Sequence, residues 1–202
     1  MPSAGTHRAE KSARRLSEIT DAAAKVFARR GYHGASTQDI ADVLGMRQAS
    51  LYYYFGSKEA ALEAVCVSGL EDYAKRALAI FKSDVASSEK VAALVFQHLA
   101  PLAERLEYTV VFLRERRFLP QPARKRIRAI ELRYERLIER VIEQGVANGE
   151  FRQDLDTRMA VLALLGLGNS AALWFGREPG TTLERVARSY IDLLVRGFRV
   201  RH

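Results

Sequence analysis

Apolar residues recur at the helical period along almost the whole of this 202-residue chain, and no stretch shows the Val/Ile/Thr alternation of a strand. That pattern leaves an all-α fold, and the breakers divide it into about nine helices. The first runs from about Arg8 to Arg30, with Leu16, Ile19, Ala23, Val26 and Phe27 on one face and Gly31 as its stop. Ser36 or Thr37 can cap a second, short helix, and a third covers about Gln48 to Phe55. Ser57 caps a long fourth, Ser88 starts a fifth, and Pro101 should kink or end it. A sixth covers about Arg105 to Phe118 and a seventh Ala123 to Ala147. Asp156 caps an eighth, and Thr181 with Glu184 reads as the capping box of a ninth.

Several function classes lose support on composition alone. The single cysteine, Cys66, lies on the apolar stripe of helix four, so it forms no intramolecular disulfide and reads as an inert small hydrophobe in a reducing cytoplasm. The N-terminal stretch has no apolar segment of signal-peptide type. The longest apolar run, Met159 to Phe175, is too short for a ~30 Å hydrocarbon core, so no membrane partner is expected. The four histidines lack metal spacing. Phosphate loops, paired catalytic carboxylates and G-x-S-x-G are absent, so neither a metal, a cofactor nor an enzyme is expected. A net charge of +8 instead favours a polyanionic partner.

The segment "STQDIADVLGMRQASLYYYF" supplies the motif. Two short helices meet at Gly45. Ile40 and Leu44 anchor the first, Leu51 and Phe55 the second, and this is a helix-turn-helix pattern. Its outward positions include Gln48, Ala49, Tyr52 and Tyr53, whereas Tyr54 turns back with Phe55. Arg47 and Gln48 can read guanine and adenine edges. Ala49 and Ser50 permit close approach to DNA, and Thr37 can share a phosphate as well as cap its helix. Gln38 completes the set on the preceding helix. Any glycine-containing αα corner would match this pattern loosely, and a non-specific architectural DNA binder would carry a similar surface.

The spacing of "FARRGYHGAST", "DIA", the turn glycine, "LY-YF" and "SKE" closely resembles the TetR family of bacterial transcriptional regulators, over about residues 12 to 65. The resemblance implies a DNA-binding head, residues 1–56 with the motif at about 36–55, and an effector-binding and dimerisation body, residues 57–202. It implies a homodimer whose two recognition helices enter successive major grooves of a near-palindromic double-stranded operator. A small-molecule effector bound in the body would reorient helix four and release the DNA. It also places Tyr52 and Lys58 against phosphates, which suits a phenol and an ammonium beside a helix N-terminus. Arg47 departs from the small serine-like cap of many members. "GEFRQDLD", the apolar helix after it, Trp174 and the final "RGF" resemble members that sense acyl-CoA thioesters.

The body yields two further expectations. Helices at about 157–175 and 182–197 should form a four-helix dimer interface, with Gly166, Gly168, Ala171 and Ala172 allowing close approach and Leu165 or Leu194 at its centre. Residues 114–140 hold ten Lys/Arg against four Asp/Glu, a larger surplus than that of residues 1–58. One reading pairs these cations with Glu115, Glu131, Glu135 and Glu139 as solvated faces. The other makes the run Arg114, Arg116, Arg117, Arg124, Lys125, Arg126 and Arg128 a corner for an anionic effector such as an acyl-CoA, with Arg114, Arg117, Arg124 and Arg128 as its contacts. His98 reads as a hydrogen-bonded core or pocket residue, and Trp174 as core, dimer interface or pocket wall.

Overall fold

The computed structural model describes residues 4–199, with side chains outside the description at 4–6, 8 and 9. The elements are α1 (Ala4–Gly34), α2 (Thr37–Val43), α3 (Gln48–Tyr54), α4 (Lys58–Lys82), α5 (Ser87–Leu99), α6 (Pro101–Glu104), α7 (Leu106–Glu115), a 3₁₀ turn at Arg116–Phe118, α8 (Gln121–Ala147), α9 (Thr157–Ala171) and α10 (Leu183–Phe198). Among the described residues there is no strand, only an isolated bridge between Phe151 and Arg199. The all-α expectation holds. The segment beyond the expected nine is α6, a single turn that Pro101 opens where its missing N–H costs nothing.

Local chemistry explains most boundaries. Ser36 caps α2 in a full capping box, its hydroxyl receiving Asp39 N–H while the Asp39 carboxylate takes Ser36 N–H. Ser36, not Thr37, is therefore the cap. Ser57 and Asp156 cap α4 and α9 as expected. The α10 cap is Thr182, whose hydroxyl receives Arg185 N–H, rather than Thr181. The N-terminus of α5 is capped from afar: Glu150 accepts Ser87 N–H at 2.9 Å and Ser88 N–H at 3.0 Å. Gly31, at φ 69°, interrupts α1 where the sequence expects its end, and one further turn runs to Gly34.

Two apolar cores are stacked along the chain, and α4 belongs to both. Ala61, Leu62, Val65, Cys66 and Leu70 join Ile19, Phe27, Ile40, Leu51 and Phe55 in the first. One turn further on, Ala74 and Ala77 join the second with Leu94, Ile138, Val161 and Leu194. The first core is completed by Val111, Leu119, Ala123 and Ile127, which belong to α7, α8 and the link between them. The N-terminal helices are thus seated on the body through α4, α7 and α8, so a change in the body can reach them through shared packing.

Gly145 on α8 marks a tight contact of the second core. A Cβ there would lie 2.2 Å from the ring of Phe151, which is fully buried, and 3.0 Å from Ser87 Cβ. Gly145→Ala is expected to cost about 1–3 kcal/mol by overpacking. Denaturation at fixed protein concentration measures it, and an unchanged midpoint would contradict this account of the contact.

Candidate nucleic-acid interface and effector cavity

The exposed face of α3 is built on a hydrogen-bonded base. Leu51 is fully buried and Phe55 nearly so, which pins the helix and leaves Tyr52 48% and Tyr53 84% exposed. Arg47, Ala49 and Ser50 are exposed. Arg47 occupies the N-cap position of α3 but makes no capping bond with its side chain, so its guanidinium is free to reach a partner. Gln48 Nε2 donates to Thr37 Oγ1 at 2.7 Å, and Tyr52 Oη lies 3.3 Å from the same hydroxyl. Thr37, Gln48 and Tyr52 therefore form one cluster spanning α2 and α3. Gln38 bonds to Asp42 along the outer side of α2. Tyr54 packs half-buried against the first core.

Lys58 has a structural task. Its Nζ donates to Tyr32 O at 3.0 Å and Ala35 O at 2.9 Å, and lies 4.3 Å from the centre of the Tyr32 ring. It ties the start of α4 to the turn that ends α1, leaving one N–H of the ammonium uncommitted. Tyr32 is the hub of this joint. Its hydroxyl bonds to Glu59, its N–H donates to Glu115 Oε2 at 2.8 Å, and its ring stacks on Phe118. Burial and the adjacent Glu59 carboxylate push the Tyr32 phenol up to about 12.

Between α4, α5, α7, α8 and α9 lies a cavity of about 570 Å³, within the size range of small-molecule sites. Charged groups on its wall are largely matched. Arg116 pairs with Glu131 at 3.1 Å, and Arg128 reaches Glu131 at 3.3 Å and Glu135 at 2.6 Å. Glu135 also pairs with Arg158 at 2.8 Å. Burial raises the Glu135 pKa, but the two guanidiniums outweigh it and hold the carboxyl below the usual range. Arg105 pairs with Asp21 and Asp72, whereas Arg76 lines the cavity with no ion-pair partner among the described residues.

The neutral part of the wall is a chain of polar rings. His98 Nδ1 lies 3.1 Å from Tyr134 Oη and His98 Nε2 lies 3.3 Å from Asn169 Oδ1. Burial lowers the imidazole to about 4, so it is neutral near pH 7.

Of the six effector candidates from sequence, His98 and Arg128 line the cavity. Arg114, Arg117, Arg124 and Trp174 do not. Phe112 and Arg116 carry the inward stripe at the end of α7, which leaves Arg114 and Arg117 exposed. Arg124 is exposed one turn before Arg128, and Trp174 packs on the second core beyond the end of α9. The pairing of body cations with carboxylates holds for Arg116 and Arg128; Arg126 finds Glu63 instead. Arg116, a member of the basic run, also lines the cavity, as do Arg76, Arg105, Tyr134 and Asn169, which were not effector candidates. The i, i+4 relation of Phe112 and Arg116 is the signal that separates Arg116 from its exposed neighbours.

The exposed sides of α9 and α10 carry Met159 (55%) and Leu193 (61%), with Leu173 (55%) just past α9, whereas Leu162 lines the cavity. Leu194 instead points into its own core, and Leu165 is half-buried on the cavity wall, so neither marks the centre of this outer face. Gly166 is open, but Gly168 is covered by His98 and Ala171 is fully buried. Among the described residues, no helix is long and apolar enough to cross a membrane, and no group of three or more metal-ligating side chains occurs.

Comparison with known proteins places this geometry. Residues 19–65 match the family model described as "Bacterial regulatory proteins, tetR family", and residues 84–198 match "Tetracyclin repressor-like, C-terminal domain". The HTH-type transcriptional repressor KstR2 of Rhodococcus jostii is 28% identical over 95% of this chain and 94% of its own. The TetR family regulator PfmR from Thermus thermophilus superposes with a TM-score of 0.82 at 30% identity, over 88% of this chain and 97% of PfmR. FadR from Bacillus subtilis, crystallised with stearoyl-CoA, does so with a TM-score of 0.77 at 26% identity, over 91% and 99%. With the second match covering more than half of the chain, and a helix-turn-helix face joined to a cavity-bearing body, the chain belongs to the TetR family of bacterial transcriptional regulators.

Proposed function

We propose that the protein is a cytoplasmic, dimeric repressor that binds a near-palindromic operator through the α3 face and leaves it when an acyl-CoA thioester enters the body cavity. Residues 1–56 act as the head and 57–202 as the body. The observation that carries the reading is that α4 belongs to both cores: cavity residues Cys66, Leu70 and Tyr73 lie on the helix whose first turn Lys58 fastens to the head. A ligand that spreads the cavity wall would thereby shift the head. The class of effector is supported by the similarity to FadR, whose structure holds stearoyl-CoA. Arg76, at the cavity with no ion-pair partner among the described residues, is a contact available to its phosphates. Arg116 and Arg128 would have to exchange Glu131 and Glu135 for such a group.

On DNA, Arg47 and Gln48 face base edges. Tyr52, Thr37 and the remaining N–H of Lys58 face phosphates. Tyr53, Gln38, Ala49 and Ser50 fill the groove. Fluorescence anisotropy with the duplex upstream of the protein's own gene, against unrelated duplex, tests the specificity. Equal affinity for both would favour an architectural binder. On the specific duplex, Gln48→Ala should cost about 1–3 kcal/mol, concentrated at particular base pairs. Tyr52→Phe should weaken all sequences alike. Uniform weakening by Gln48→Ala would contradict its base-reading role.

A further inference from the structure

The polar chain on the cavity wall is incomplete, and what it lacks describes a ligand. His98 is neutral, so only one ring nitrogen carries hydrogen. Nε2 faces the Asn169 carbonyl oxygen at 3.3 Å and must donate, which makes Nδ1 the acceptor of the Tyr134 hydroxyl at 3.1 Å. The order is Tyr134 to His98 to Asn169, and it ends on the Asn169 amide NH₂. Among the described residues that NH₂ makes no hydrogen bond, and Asn169 is half-buried on the cavity wall.

Two other features show that this arrangement is built. His98 lies over Gly168, where any Cβ would sit 2.1 Å from its ring, so the imidazole reaches Asn169 only because residue 168 has no side chain. Beside it, Gln97 is 7% exposed and also lines the cavity. Its amide N–H donates to Tyr73 O at 3.2 Å, which fixes the amide orientation, and its carbonyl oxygen is buried without a partner. An unused donor and an unpartnered acceptor thus lie on one cavity, where a bond left unmade is destabilising if the group stays dry.

We infer that Asn169, oriented by His98 and Tyr134, is a specificity site that takes a hydroxyl or keto oxygen on the acyl part of the effector, so that oxygenated acyl groups are preferred to plain alkyl chains. This rests on the reading of the cavity as the site of a thioester effector. The Asn169 amide donates to the ligand oxygen, and a plain methylene leaves that donor unmatched. Such a site discriminates more sharply than an apolar pocket, because the wrong ligand strands a polar group.

Calorimetry on the full-length protein with octanoyl-CoA, 3-hydroxyoctanoyl-CoA and 8-hydroxyoctanoyl-CoA tests it. At least one hydroxylated thioester should bind ten-fold or more tighter than octanoyl-CoA. Asn169→Leu should erase that preference while still binding octanoyl-CoA. Octanoyl-CoA binding as tightly as both hydroxylated forms would overturn the specificity site and leave the thioester reading intact. A preference that survives in Asn169→Leu would overturn the role of Asn169. Binding of no thioester by the wild type would overturn both readings.

Discussion

Leu193→Glu should turn the protein into a monomer at micromolar concentration in sedimentation, and its operator affinity should fall by roughly 10²–10⁴-fold. Leu193 is 61% exposed on α10, Met159 is 55% exposed beside it on α9 and Leu173 is exposed just beyond α9, so among the described residues the outer face of this helix pair presents apolar side chains to solvent. A matching face on a second copy would bury it, and a carboxylate at its centre would meet apolar surface from both sides. The DNA effect follows from linkage. One head docked on half an operator holds the other near the second half-site at an effective millimolar concentration, and a monomer loses that benefit. Because Leu193 faces away from the core, the variant should keep its helical content and melt cooperatively. Leu194→Glu would unfold the body instead, since that side chain is 6% exposed within it. Leu193→Glu remaining a dimer would move the interface elsewhere.

The second large effect is on acid stability, through His98. Burial lowers its pKa from 6.5 to about 4. The unfolded chain binds a proton at this site that the folded chain refuses, so stability is full above about pH 6.5 and declines as pH falls toward 4. The loss should be on the order of 2 kcal/mol, below what the whole shift implies, because His98 lines the cavity rather than a closed core. Asp39, Glu59, Glu135 and Glu150 have folded-state pKa values below their ordinary ones, so they lose stabilisation in the same direction, but only below the carboxylate range near 4.5. The interval from pH 6.5 to 5 therefore isolates the histidine. Denaturation midpoints of wild type should fall across it, while those of His98→Gln stay flat. Parallel curves for the two proteins would show that His98 titrates normally.

How far the sequence led depended on the distance over which each interaction acts. Capping at Ser57 and Asp156, the anchoring of α3 by Leu51 and Phe55, and the outward Tyr52 and Tyr53 are decided within a few residues and could be read directly, whereas the α2 cap was open between Ser36 and Thr37 until the structure gave Ser36. The step from Thr181 to Thr182 at α10 is a one-residue choice between equivalent caps. Lys58 was legible as a cation at a helix start, but its partners Tyr32 O and Ala35 O lie more than twenty residues away. The cavity was least legible. Arg116, His98 and Asn169 line one cavity only because distant segments of the chain fold around it, and a run of arginines does not reveal which of them turn inward. Charge counting therefore grouped Arg116, which lines the cavity, with Arg114, Arg117 and Arg124, which lie outside it. Nothing in the local pattern around Leu193 and Leu194 distinguished the outward from the inward side chain until the packing of α10 against α5 and α9 settled it.

Control of the DNA-binding heads by the occupant of the body cavity is tested most directly by titrating an acyl-CoA series into a preformed complex of the full-length protein with its own upstream duplex. Fluorescence anisotropy reports the DNA, and calorimetry under the same conditions reports the ligand. Anisotropy should fall toward the free-duplex value over the concentration range in which the thioester binds, and the corresponding free acids should do so poorly. A thioester that saturates the protein while the duplex stays bound would contradict the account.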